Sequence, residues 1–155
     1  MPSGSSTGHK AMADIPEQTY KEILKVMPVC CVDLVITHDN KFLLLKRGKQ
    51  PAKGQWWLPG GRLHKNETIR HAALRKARQE TGLDCEFIKE LGINEGIFDD
   101  GPFGFGVHTV GVVCWLKAKT DKVRLDADHT DYRWDGSKVQ DLNGRLTNFI
   151  SEIIK

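Results

Sequence analysis

The chain has 155 residues, 39% of them hydrophobic and 28% charged, at a formal net charge of +3, which is enough for one compact domain with its own core. Acidic and basic residues are interspersed, so the mild positive balance suits an anionic small molecule and gives no footing for a nucleic-acid partner. No apolar run approaches the roughly 20 residues of a membrane span, so no membrane partner is expected.

Residues 1–13, beginning MPSGSSTGHKAM, lack the apolar centre of a secretion signal and read as a disordered tail or cloning remnant, with a single domain expected over 14–155. A helix is expected from Asp14 to Met27, where Asp14 caps, Pro16 is tolerated in the first turn, and Tyr20, Ile23, Leu24 and Met27 follow at helical spacing. VCCVDLVIT, Val29 to Thr37, is a nearly unbroken β-branched and apolar run and predicts a buried strand. His38-Asp39-Asn40 turns the chain into a second strand, KFLLLKR. A short apolar stretch, Gln55 to Leu58, precedes Pro59, and Gly60 and Gly61 open a loop into a helix running from about Asn66 to Gly82. Glu86 to Ile97 and Val107 to Lys117 alternate as strands, with DDGPFGFG between them. A polar loop carrying LDADHTDYRW follows, and NGRLTNFISEIIK closes the chain as an amphipathic helix. This order predicts a mixed sheet with helices on both faces. Cys30, Cys31, Cys85 and Cys114 form no CxxC pair and read as reduced core thiols of a cytoplasmic protein.

The most informative stretch is GGRLHKNETIRHAALRKARQETGL. Gly61, Glu67, Arg75, Glu80, Gly82 and Leu83 fall at the positions of a known signature, G-x5-E-x7-R-E-U-x-E-E-x-G-U with U apolar. The chain therefore resembles the Nudix hydrolases. The resemblance implies an α/β/α sandwich whose loop–helix–loop holds divalent metal beside a nucleoside diphosphate. In the full signature three glutamates at i, i+3 and i+4 share one helix face and gather hard cations through oxygen. Here those positions are Lys76, Gln79 and Glu80, so a multi-metal cluster is not expected, whereas one ion still is. As an ordinary solvated pair, Lys76 and Glu80 would contribute only about 0.2–0.5 kcal/mol. Glu67 reads equally as a metal ligand or as an acid favoured at a helix N-terminus.

The same departures mark one branch of the family, the GDP-mannose mannosyl hydrolases. VDLVI with Asp33, FLLLKR with Arg47, PAKGQWWLPGGRLHKNET, and DHTDYRW with His129 resemble that branch over most of Pro28 to Trp134. It implies hydrolysis of a GDP-sugar, GDP-mannose or GDP-glucose, by attack of water at the anomeric carbon, with GDP and free hexose as products. His129 is the implied general base, while Asp33, which interrupts an apolar strand, faces a cationic centre or an arginine. Arg47, Arg62 and Arg75 would hold phosphate or sugar oxygens. The carbonyl of Gly60 and the carboxylates of Glu80 and Asp128 would hold Mg²⁺, with Mn²⁺ as the alternative. Three positions depart from the branch: Asp128 stands where glutamine is expected, Thr109 for tyrosine and Gln50 for arginine. These bear on substrate identity rather than on fold. Trp56 or Trp57 is a candidate to stack the base, and Asp99 and Asp100 read as turn residues. A homodimer is implied by the branch. Two other readings stay open at this point: attack at phosphorus on a nucleoside diphosphate derivative, with Glu86, Glu90, Asp99 or Asp100 supplying the missing acids, and nucleotide binding without turnover.

Overall fold

A computed structural model describes residues 15–136 and 144–154. Helix α1 spans Glu17–Val26, strands β1 and β2 span Val29–His38 and Lys41–Arg47, and the short β3 and β4 span Trp56–Trp57 and Gly60–Arg62. Helix α2, Ile69–Thr81, is followed by β5 Cys85–Phe98, β6 Val107–Ala118, β7 His129–Asp135 and helix α3 Gly144–Ser151. The sheet order is β3-β2-β1-β6-β5, with β4 joined to β1 and β7 to β2. β1 and β6 are parallel and the other pairs antiparallel.

The unbroken apolar run of β1 is explained by burial on both sides. Val32, Leu34 and Ile36 pack with Leu43, Leu45, Cys114 and Leu116 against Ala72, Ala73 and Ala77 of α2. Val35 packs with Phe42, Leu44 and Val113 against Leu146 and Ile150 of α3 on the opposite face. The expected α/β/α sandwich with a mixed sheet is therefore the fold observed. Asp39 and Asn40, at φ 48° and 57°, make the left-handed two-residue turn that joins β1 to β2.

Several boundaries differ from the sequence reading, each for a local reason. Asp14 lies outside the described residues, and Pro16 stands at the cap of α1, its carbonyl accepting from the Tyr20 N–H at 2.9 Å. α2 begins after Thr68 because Asn66 sits in the left-handed region, at φ 64°, while the Thr68 hydroxyl accepts from the His71 N–H. Its end is as expected, at Gly82 with φ 67°. Residues 60–62 form a strand rather than a loop: β4 lies so close to β1 that a Cβ on Gly60 would sit 2.1 Å from the Val32 carbonyl oxygen. DHTDYRW is likewise β7 rather than a polar loop; its backbone pairs with β2, and no apolar alternation announces it. Cys31, Cys85 and Cys114 are at least partly buried, but Cys30 is exposed and so is no core thiol.

The site is positioned by a divergence of two strands. β1 and β2 pair only at Thr37↔Phe42 and His38↔Lys41. Beyond that, β1 takes β4 as its partner and β2 takes β3, while β7 runs along the other edge of β2, and a cleft opens where β1 and β2 part.

Candidate active site

The cleft has a volume of about 340 Å³ and is lined from β1, β2, β4, α2 and the start of β7. Asp33, Arg47, Gly60, Arg62, Glu80, Asp128 and His129 all line it, so seven of the eight residues singled out in the sequence meet in one place. Arg75 does not line it.

Glu80 is the buried centre, at 6% exposure. Its Oε2 accepts from the Gly60 N–H at 2.9 Å, and its Oε1 lies 3.0 Å from the Lys76 ammonium one helical turn earlier. A neighbouring acid is one that sequence reading missed. Asp126 Oδ1 lies 2.7 Å from His129 Nδ1, and the His129 side chain is 8% exposed. A carboxylate only accepts, so Nδ1 is the nitrogen that donates in this contact, and Nε2 is the one that can accept in the neutral ring. The Asp126 N–H donates to the Glu80 carbonyl at 3.3 Å, which ties this loop to the end of α2. Asp128 is turned elsewhere: its carboxylate pairs with Lys49, and that contact, against some burial, holds it below the usual carboxylate range.

Across the cleft, burial pushes the Asp33 carboxyl up to about 6, opposed by a hydrogen bond from Asn94 and by the charge of Arg47. Room for that carboxylate exists because residue 111 is glycine; a Cβ there would lie 2.1 Å from Asp33 Oδ2. Arg47 is anchored through Nε to the Pro51 carbonyl at 2.5 Å. Burial lowers its pKa, while Glu80, Asp128 and Asp33 draw it back up. The Arg62 guanidinium lies 5.8 Å from the Tyr20 ring centre in the cleft wall. Trp57 lines the cleft beside Phe98, at 6.1 Å between ring centres, whereas Trp56 lies under Arg133.

The remaining signature residues form a clasp outside the cleft. Arg75 donates to both Glu67 oxygens, at 2.6 and 2.9 Å, and to the Arg62 carbonyl at 3.1 Å. Glu67 also accepts from the His64 N–H at 3.0 Å. Burial raises the Glu67 carboxyl, but these donors outweigh it and hold the group below its ordinary value. Glu67 and Arg75 thus brace the loop that enters α2.

The donor atoms of Glu80, Asp126 and His129 lie within 4.8 Å of one another. The carboxylates of Glu80 and Asp126 are the hard oxygen donors that one small divalent ion takes, so the residues present fit a single-ion site with His129 beside it. Asp126 and Asn94 are the two site residues missed. The only signal for Asp126 is its position three residues before His129 in DADH; for Asn94 it is a polar residue buried within a strand.

Comparison with known proteins agrees with this geometry. A NUDIX domain model matches residues 27–148. The low-salt glycan biosynthesis protein Agl8 of Haloferax volcanii is 32% identical over 127 residues, covering 80% of this chain and 81% of that protein. An ADP-ribose pyrophosphatase of Methanocaldococcus jannaschii is 41% identical over 90 residues, 58% of this chain and 51% of that protein. Among solved structures, a MutT NUDIX hydrolase from Burkholderia pseudomallei superposes with a TM-score of 0.67 at 26% identity, covering 83% of this chain and 99% of that one. The helix that carries Glu80, the sandwich that presents it and the family match over residues 27–148 together establish that the chain belongs to the Nudix hydrolase family.

Proposed function

We propose that the chain hydrolyses a GDP-sugar, GDP-mannose or GDP-glucose, at the anomeric carbon, releasing GDP and free hexose. The observation that carries this reading is the state of Glu80. It is the one acid kept on the helix face, and it already holds the Lys76 ammonium and the Gly60 N–H. Attack at phosphorus calls for clustered cations, whereas departure of a diphosphate from carbon calls only for charge stabilisation of the leaving group.

The residues of the cleft have the chemistry for that step. His129, oriented through Nδ1 by Asp126, takes a proton from water at Nε2. The water oxygen bonds to the anomeric carbon as the bond from that carbon to the diphosphate oxygen breaks, and the electron pair leaves with GDP. Asp33 stabilises positive charge developing on the sugar. Arg47 and Arg62 hold phosphate oxygens, while Arg75 acts from outside by fixing Glu67 and the Arg62 backbone. Glu80, Asp126 and the Gly60 carbonyl would hold one Mg²⁺ or Mn²⁺, with Asp128 kept at the rim by Lys49. When bound, such an ion supplies positive charge to the departing diphosphate. A relative named for glycan biosynthesis is in keeping with a sugar-bearing substrate.

A second reading keeps the site and moves the attack to phosphorus; the relative named as an ADP-ribose pyrophosphatase favours it. Incubation with GDP-mannose and Mg²⁺ in oxygen-18 water separates the two by mass spectrometry. Labelled hexose with unlabelled GDP is the expected result. Label in GMP or in sugar phosphate would replace the first reading with the second.

A further inference from the structure

The Lys76 side chain lies on the α2 face where the family signature places its first clustered glutamate, and it lines the cleft. Its side chain is only 18% exposed, and its ammonium is fixed 3.0 Å from Glu80 Oε1. The wall opposite is built to admit it: a Cβ on Gly61 would lie 2.6 Å from Lys76 Cε and 2.9 Å from Nζ. A lysine stem held this closely is not the waving surface lysine of a solvated i,i+4 pair. An ammonium has three donors, and Glu80 takes one.

The charge balance of the cleft points the same way. Among the described residues, Arg47, Lys49, Arg62 and Lys76 line it against the carboxylates of Asp33, Glu80 and Asp128, with Asp126 beside Glu80 and His129. Four cations therefore balance four acids before any ion is bound. A glutamate at position 76 would leave three cations against five acids, a balance that disfavours a diphosphate without metal.

We propose that Lys76 is a resident cation of the active site, whose ammonium contacts the substrate's diphosphate directly and so makes diphosphate binding independent of metal. The inference rests on the reading that a diphosphate-bearing substrate occupies this cleft, and it assigns Lys76 a binding role there beside the single divalent ion. Lys76 leaves Glu80 Oε1 in contact with the ammonium while phosphate oxygens take its other donors.

The test is calorimetric titration of the full chain with inorganic pyrophosphate in EDTA, repeated with GDP. Lys76→Met alone strands the Glu80 carboxylate without its ammonium, so the informative pair is Glu80→Gln against the double variant Lys76→Met/Glu80→Gln. The first keeps the ammonium and the second removes it, with the change at position 80 common to both. Pyrophosphate is expected to bind wild type and Glu80→Gln without metal, and to bind the double variant about tenfold or more weakly, the loss of a charge-assisted hydrogen bond. Equal affinity in the two variants, or no metal-free binding to wild type, would overturn the role of Lys76. Pyrophosphate binding by wild type with no affinity for GDP, even with Mg²⁺, would uphold Lys76 and overturn the guanine-nucleotide reading.

Discussion

Asp33 makes the protein's stability depend on pH in a direction opposite to that of most carboxylates. Its acid is pushed from an ordinary value of 3.8 up to about 6, with burial as the main cause. Between those two values the folded chain holds a proton that the unfolded chain has released, so stability falls as pH rises through this window. A shift of about two units corresponds to an upper bound of about 3 kcal/mol, since water in the cleft screens part of it. Asp33→Asn removes the titration and nearly preserves shape, keeping clear of Gly111, where a Cβ would clash at 2.1 Å with the native carboxylate. The assay is a pair of melting series for wild type and variant from pH 4 to pH 8. The constant effects of the substitution, including any weakened contact with Arg47 or Asn94, are present in both arms. What ionisation contributes is the change in the gap between the two proteins across the series. The variant should gain on wild type by several degrees between pH 4 and pH 7, given about 2–4 °C per kcal/mol for a chain of this size. On the proposed function the same substitution should also lower kcat sharply, since it removes the charge assigned to stabilising the sugar. A gap that stays constant with pH would refute the account of Asp33 as a carboxylate held against desolvation.

Three further outcomes are expected. Glu80→Gln should leave the chain folded but abolish the rise in melting temperature on adding Mg²⁺, and lower turnover by more than the roughly 10- to 100-fold typical of an outer-shell change; an undiminished Mg²⁺ response would remove Glu80 from the metal site. Asp126→Asn and His129→Ala should each lower kcat by about 100-fold or more, and Asp126→Asn should in addition weaken the Mg²⁺-dependent rise in melting temperature, since Asp126 both orients the ring and stands in the metal group. A Mg²⁺ response unchanged in Asp126→Asn would leave it the orienting role alone. Glu67→Gln should destabilise the chain by about 1–3 kcal/mol, and combining it with Arg75→Ala should add little, because both break one clasp; a urea titration measures this, and simple additivity would sink the clasp.

How much of this was legible beforehand depended on which physical signal each residue leaves in a single chain. The two-sided burial of β1 writes itself as VCCVDLVIT, and the one acid in that run betrays a site because a carboxylate there is unfavourable without a purpose. Glu80 was legible from spacing, since the helix repeat fixes its face whatever surrounds it. β4 and β7 left no such trace. Both are held by backbone hydrogen bonds to β1 and β2, and neither needs an apolar alternation of its own.

The choice between similar residues was the part that only the fold could make. Arg62 and Arg75 stand in the same signature and offer the same guanidinium, yet Arg62 lines the cleft while Arg75 turns to Glu67. Asp126 and Asp128 flank one alanine just before His129, and the resemblance favoured Asp128 for the metal. In the structure Lys49 captures Asp128, and Asp126 lies with His129 and Glu80. Neither outcome is encoded in the local pattern, because each depends on a partner from another element: Glu67 before α2 in one case, Lys49 after β2 in the other. The two lysines of the cleft lining differ in the same way: the Lys49 ammonium is neutralised by Asp128 in an exposed pair, whereas Lys76 is held among buried groups and stands where the family signature has an acid. It is therefore the change on α2, and not the one at Asp128, that on the inference drawn for Lys76 moves part of anion recognition from bound metal to the chain itself.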